Sequence, residues 1–185
     1  MEWLIPAVVV LVLGWLLLTY NRMVSLRQTT GQAFADIEVQ LKQRHDLVPN
    51  LVETVKGYAS HESKTLEAVI AARNKATSAH SPAEMGAAEG ALSGALGRIF
   101  ALAEAYPDLK ADANFRQLQA ELSDLENKIA AARRFLNNAV QEYNTIIQQL
   151  PAVLIADMAG FKPAEFFALD EPERAATAVP PSVKF

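Results

Sequence analysis

The stretch Phe115-Arg-Gln-Leu-Gln-Ala-Glu-Leu-Ser-Asp-Leu-Glu-Asn-Lys-Ile-Ala-Ala-Ala-Arg-Arg-Phe-Leu-Asn-Asn-Ala-Val-Gln-Glu-Tyr-Asn-Thr-Ile-Ile-Gln-Gln-Leu150 steps its apolar and small residues by three and then four: Phe115, Leu118, Leu122, Leu125, Ile129, Ala132, Leu136, Ala139, Tyr143, Ile146 and Leu150. A spacing that averages about 3.5 residues keeps one stripe of a long helix turned toward a partner helix. The segment predicts a helix from about Asp112 to Gln149, stopped by Pro151. Its stripe is expected to form the core of the domain itself, or in part a seam with another subunit. Asp124 and Lys128, four residues apart on the outer face, form a pair worth only a few tenths of a kcal/mol.

The same period recurs upstream. Met85, Ala88, Leu92, Ala95, Ile99, Leu102 and Tyr106 form a second ladder, broken at Tyr106-Pro107-Asp108. It opens at Ser81-Pro82-Ala83-Glu84, which reads as a capping box with proline in the first helical position. Gly86, Gly90, Gly94 and Gly97 lower its helix propensity by up to about 1 kcal/mol each, so close packing must hold it. Before the linker Thr77-Ser78-Ala79-His80, the residues Val48, Leu51, Val55, Tyr58, Leu66 and Val69 mark a helix ending near Ala76, weakened in its middle by Gly57. Asp46 would cap that helix, with Pro49 in its first turn, where a missing N–H costs little. Val24, Phe34, Ile37 and Leu41 mark an earlier helix that reaches about Arg44. At the other end, Pro151 to Ala159 suits a short amphipathic helix closed by Gly160, and Phe166-Phe167 is placed to dock on the bundle. After Asp170 the Pro-, Glu- and Ala-rich composition is that of a loosely held tail.

Trp3 to Leu18 contains no charged residue, and Thr19 and Tyr20 extend the run. A helix over residues 3–20 spans about 27 Å, slightly under the ~30 Å hydrocarbon layer, which local thinning and aromatic flanks accommodate. Trp3 and Tyr20 at its ends, with Arg22 just beyond, are the expected membrane-interface residues. A cleaved signal peptide is the rival, but it calls for a positive leader and a small-residue cleavage site, whereas this chain starts Met1-Glu2 and leaves the run as Leu-Leu-Leu-Thr-Tyr-Asn-Arg. A buried core helix is the third reading. Arg22 and Arg27 come after the run and only Glu2 precedes it, which places the soluble part in the cytoplasm under the positive-inside bias. No turn residue separates the run from the helix marked by Val24, Phe34, Ile37 and Leu41.

Together these signals predict an all-α fold. A single transmembrane helix is continuous with an antiparallel bundle of about four long helices, then a short C-terminal helix and tail. The expected boundaries are 1–20 for the anchor, 21–161 for the bundle and 162–185 for the tail.

With 185 residues there is room for one soluble domain of ordinary size plus appendages. The composition is 51% hydrophobic but only 8% aromatic, which suits alanine-lined helix seams better than a deep globular core. Residues 21–75 carry eight Lys/Arg against six Asp/Glu, and residues 76–185 carry nine against fourteen. Neither part has the dense basic stripe that many simultaneous phosphate contacts require, so nucleic acid is not an expected partner. With no cysteine there is no disulfide framework, thiolate zinc site or cysteine nucleophile.

The densest polar cluster is Lys42, Arg44, His45, Asp46, Asn50 and Glu53, expected around the first helix-to-helix turn. It reads either as a partner- or anion-binding tip or as a solvated turn whose carboxylates cap the next helix. His61-Glu62 lacks the second histidine of an H-E-x-x-H zinc motif, and no Glu-x-x-His of a di-iron bundle occurs. Asp108, Asp112 and Asn114 lack the central glycine and terminal glutamate of a calcium loop. No G-x-S-x-G or P-loop pattern is present in the sequence. Neither a cofactor nor a catalytic residue is expected.

The segment Asp36-Ile-Glu-Val-Gln-Leu-Lys-Gln-Arg-His-Asp-Leu-Val-Pro-Asn-Leu-Val-Glu-Thr-Val-Lys-Gly-Tyr-Ala59 resembles the signature block of the bacterial LemA family. So do Glu104-Ala-Tyr-Pro-Asp-Leu-Lys-Ala-Asp-Ala-Asn-Phe-Arg-Gln-Leu-Gln119, Glu126-Asn-Lys-Ile-Ala130 and Glu142-Tyr-Asn-Thr145. Tyr20-Asn21 with Val24 and Leu26-Arg27, the Ala156 to Phe161 segment and Val183-Lys184-Phe185 are similar to family features as well. The resemblance covers nearly the whole chain. It implies a single-pass bacterial membrane protein with an antiparallel helical bundle, one branch of the family being associated with magnetosome membranes, and it brings no catalytic residue. Phe34 stands where the family often has Trp, and Phe166-Phe167 where an aromatic-acidic pair is usual; both preserve apolar docking.

The expected function is that of a non-enzymatic, membrane-anchored scaffold or membrane-organising homo-oligomer in the bacterial inner (cytoplasmic) membrane, with the lipid bilayer and copies of itself as partners. The alternative is an adaptor or regulator that presents the first helix-to-helix turn to a soluble partner or a membrane protease. A hydrolase would need a convergent polar pocket that the motifs do not supply.

Overall fold

A computed structural model describes residues 3–167. Among these residues the chain is all-α, with six helices and no strand: α1 Leu4–Tyr58, α2 Ser63–Thr77, α3 Pro82–Ala103, α4 Pro107–Ala111, α5 Ala113–Gln148 and α6 Ala152–Ala159. The tail expected after Asp170 lies outside the described residues.

The local signals explain most boundaries. Ser81 accepts a hydrogen bond from the Glu84 N–H at 3.2 Å while the Glu84 carboxylate reaches back to the Ser81 N–H, so the capping box forms and Pro82 takes the first helical position. Asp112 caps α5, its carboxylate accepting from the Phe115 N–H at 2.8 Å and from the Tyr58 hydroxyl at 2.9 Å. These hydrogen bonds, the backbone one foremost, hold the Asp112 carboxyl below its usual range. Gly160 ends α6 in the left-handed region, with φ 72°, where a side chain would be strained.

One expected boundary is absent. The helix break between Arg44 and Asp46 does not exist: α1 is a single helix of 55 residues with Pro49 inside it, and Asp46 caps nothing. Proline removes one intrahelical bond, the one to the carbonyl four residues earlier. That carbonyl belongs to His45, and it accepts instead from Nε of Arg73 on α2 at 2.9 Å. The chain turns later, over residues 59–62, so Tyr58 ends the helix with its ring exposed rather than lying in a buried stripe.

The described residues divide into two compact units, 3–37 with 132–166 and 38–131 with Phe167; α1 and α5 each supply a segment to both. In the first unit α1 and α5 run antiparallel. Thr30 Oγ1 donates to the Ala139 carbonyl at 3.3 Å, and one end of the pair is closed by Met23 packed with Tyr143 and Ile147. The segment after α6 is fastened to α5: Tyr143 donates to the Lys162 carbonyl at 2.9 Å, and the Asn144 amide exchanges hydrogen bonds with the Ala164 backbone at 2.9 and 2.8 Å. Phe167 is buried and Phe166 half-exposed, so one of the two expected docking aromatics is seated.

The second unit is built from the later part of α1, α2, α3, the short α4 and the first part of α5. Val48, Leu51 and Val55 meet Val69, Leu92, Ile99, Leu109, Phe115 and Leu122 in one core, with Phe100 set edge-on to Phe115 at 6.3 Å. The ladder of α5 is followed at Phe115, Leu122, Leu125, Ile129, Leu136, Ala139 and Tyr143, all buried, with Leu118 at the core's margin. Beyond Leu136 burial moves onto Val140 and Ile147, and Ile146 is only partly buried. This is the drift of a straight 3.6-residue helix away from a strict heptad. Leu150 is a correction: it lies past the end of α5 and is 82% exposed.

Candidate functional site

In the second unit the helices converge on a charged cluster. Arg44 projects from the inner face of α1, on the same stripe as Leu41, Val48 and Leu51, and is among the largest fully buried side chains. Glu89 and Ser93 lie one turn apart on α3, and Glu126 comes from α5. One guanidinium nitrogen, Nη2, donates to Glu89 Oε2 and to the Glu89 carbonyl at 3.4 Å; the other, Nη1, donates to Ser93 Oγ at 2.9 Å and to Glu126 Oε2 at 2.5 Å. The second Glu89 oxygen meets His45 Nε2 at 2.5 Å. Arg44 thus joins α1, α3 and α5 through one planar fork, a geometry that lysine lacks.

Electrostatics follows from burial. Removal from water alone would raise the Glu89 carboxyl, but the hydrogen bond with His45 and the adjacent Arg44 guanidinium outweigh it and hold the group below its ordinary range. Glu89 is therefore a carboxylate inside the bundle, paired on both oxygens. Among the described residues, the buried side-chain atoms Arg44 Nε and Gln40 Oε1 have no hydrogen-bond partner. Among the described residues no group of three or more His, Cys, Asp or Glu is arranged to hold a metal ion. One oxygen of Glu89 and one of Glu126 are instead directed at the Arg44 guanidinium, while the other Glu89 oxygen meets His45 and the other Glu126 oxygen accepts from Ser93 Oγ.

The expected surface cluster separates onto two faces of one helix. Arg44 and His45 point inward, while Lys42, Asp46, Asn50 and Glu53 point outward and are exposed. The expectation of a helix-to-helix turn here is corrected, because α1 runs straight through. Lys42 and Asp46 form an exposed i,i+4 pair at 2.8 Å, and Lys56 lies 3.7 Å from Glu53. Sequence reasoning missed Arg73, Glu89, Ser93 and Glu126 as members of the site. A charged residue at position 89, flanked by the seam residues Ala88 and Leu92, was the available signal. An open groove of about 650 Å³ between α3 and α5 carries Ser93 and Glu126 on its wall, together with Leu96, Phe100 and Arg116.

At the other candidate region, Trp3 is 86% exposed, Tyr20 packs edge-on against Phe161 at 5.8 Å, and Arg22 lies 3.7 Å from Glu142. The apolar part of α1 is long and apolar enough to cross a membrane, and almost none of it is buried by protein.

A bundle locked by a buried arginine and preceded by a bare apolar helix defines a membrane-associated helical protein. The LemA family model matches residues 33–185, and the chain belongs to that family. It is similar to magnetosome protein MamQ 2 of Paramagnetospirillum magneticum, 26% identical over 86% of this chain and 68% of the relative. It is also similar to magnetosome protein MamQ of Magnetospirillum gryphiswaldense, 25% identical over 82% of this chain and 65% of that one. Protein LemA of Metamycoplasma hominis is 28% identical over 75% of this chain and 64% of its own length.

Proposed function

We propose that this chain is a non-enzymatic scaffold, held in the membrane by the first part of α1 and organising its surroundings as a homo-oligomer. The observation that carries this reading is the helix itself. Large apolar side chains from Trp3 to Leu18 stand exposed on every side, as lipid contact requires and water disfavours. They continue without interruption into the α1 segment that contributes Arg44 to the bundle. The names of the MamQ relatives, proteins of a magnetosome, support a role in membrane organisation.

Replacing Val9 and Val12 by lysine is expected to move the full chain from the carbonate-resistant membrane fraction to the soluble fraction. Crosslinking in native membranes, followed by size analysis, is expected to yield discrete oligomers; a strictly monomeric species at cellular abundance would refute the scaffold. A soluble partner docking on α1 would meet Lys42, Asp46, Asn50 and Glu53. Reversing the charges of Lys42 and Asp46 is the corresponding test, read by co-purification.

A further inference from the structure

A second exposed apolar surface lies where α5 passes into α6. Leu150, Leu154 and Met158 succeed one another at four-residue intervals and are 82%, 62% and 91% exposed. The opposite side of α6 is buried through small residues, Ala152 and Ala156, and Ala156 packs with Met23, Tyr143 and Ile147. Large apolar side chains outward and alanines inward invert the arrangement of a helix that faces water. Asp157, the single charge of α6, lies at the rim of the outer face by helical spacing, one position before Met158.

The place of this surface in the first unit decides its occupant. Leu150, Pro151 and Ala152 share a hollow with Trp15, Leu18, Thr19 and Arg22 of α1. Just past Gly160, Phe161 sets its ring edge-on against Tyr20. α6 therefore starts beside the last turns of the apolar run, at the level where an anchor leaves hydrocarbon for headgroups, and Leu150 shares its hollow with Leu18, itself 72% exposed.

We propose that α6 is a second membrane contact: a short interfacial helix whose Leu150, Leu154 and Met158 enter the boundary between acyl chains and headgroups, with Asp157 left at headgroup level. The proposal rests on the reading of α1 as a membrane anchor. A second copy of the chain is the weaker occupant, because three side chains fall far short of the roughly 800 Å² per partner of a stable protein interface. A lipid surface has no such minimum, and the anchor already holds α6 against it.

The chain has no cysteine, so a single introduced thiol can be labelled uniquely. Full-length L154C and M158C, each carrying an environment-sensitive fluorophore, would be reconstituted into phosphatidylcholine and phosphatidylglycerol vesicles containing lipids brominated at a shallow or a deep acyl position. V12C reports the anchor and N114C an exposed site on α5. Shallow-brominated lipid is expected to quench positions 154 and 158 several-fold more than position 114, with position 12 quenched most by deep-brominated lipid. Loss of quenching at 154 and 158 with quenching at 12 retained would overturn the interfacial helix alone. Absence of quenching at 12 would overturn the anchor reading. Efficient oxidative dimerisation of L154C in the same vesicles would assign the face to a second copy and reject the lipid assignment.

Discussion

Nε of Arg73 donates to the carbonyl oxygen of His45, the very acceptor that Pro49 leaves without its helical N–H. A side chain from α2 thus completes the backbone of α1. The arrangement predicts coupling between Arg73 and Pro49 through the one carbonyl. Arg73→Met strands a partly buried acceptor and is expected to cost about 1–3 kcal/mol. Pro49→Ala restores the internal bond and is expected to stabilise by up to ~3 kcal/mol. In the Pro49→Ala background Arg73→Met should lose most of its effect. Urea unfolding of the full chain in detergent, followed by helical circular dichroism, measures the cycle; additive effects would contradict it.

The Arg44 cluster makes a prediction about pairs rather than single residues. Arg44→Met strips the buried Glu89 carboxylate of its guanidinium and leaves it only the His45 contact, and a loss of about 3–5 kcal/mol is expected. Arg44→Met combined with Glu89→Leu removes both charges, so the double variant should recover part of that loss. A double variant no better than the sum of its singles would mean that the pair does not couple α1 to α3.

Acid should weaken the second unit through Glu89. Its carboxyl in the folded chain lies below the ordinary value of 4.5, so the folded state holds fewer protons than the unfolded one. Its contribution is complete above that value and is lost as pH falls through the lower, folded one. The urea midpoint should therefore fall on acidification below pH 4.5 more steeply in the natural chain than in Glu89→Gln. Equal slopes would rule the residue out as the source.

Gly94 and Gly97 of α3 face open space: a methyl added at either meets nothing within 4 Å. Each alanine replacement is expected to stabilise the isolated chain by about 0.5–1 kcal/mol through helix propensity. If the same replacements reduce crosslinking between copies in native membranes, a neighbouring subunit packs closely on this face. Unchanged crosslinking would place the contact elsewhere.

Much of the architecture was readable because local chemistry dictates it. The Ser81 capping box, the break at Tyr106-Pro107, the span of α5 and the closure at Gly160 each depend on residues within a turn or two. The α1 reading failed at Pro49 for the opposite reason. Whether a proline starts a helix or is tolerated inside one depended on Arg73, 24 positions away and on another element. Arg44 and His45 were legible as an unusual cluster but not as core, since charged residues near an aspartate and a proline look like a turn until their partners are known. Glu89 was hidden in the seam of α3, where neighbouring alanine and leucine gave burial without naming the counter-charge.

The ties made by Arg44 span 45 and 82 positions along the chain, whereas α2 and α3 are joined through the short link 78–81. Hairpins close quickly and remote ties close late. During translation residue 44 must wait for residue 126 to be added before its ring of acceptors is whole. Pulse-labelling exchange should record protection across α2 and α3 before it reaches the backbone around Arg44, which makes assembly of this interior a final, checkpoint-like event in biogenesis.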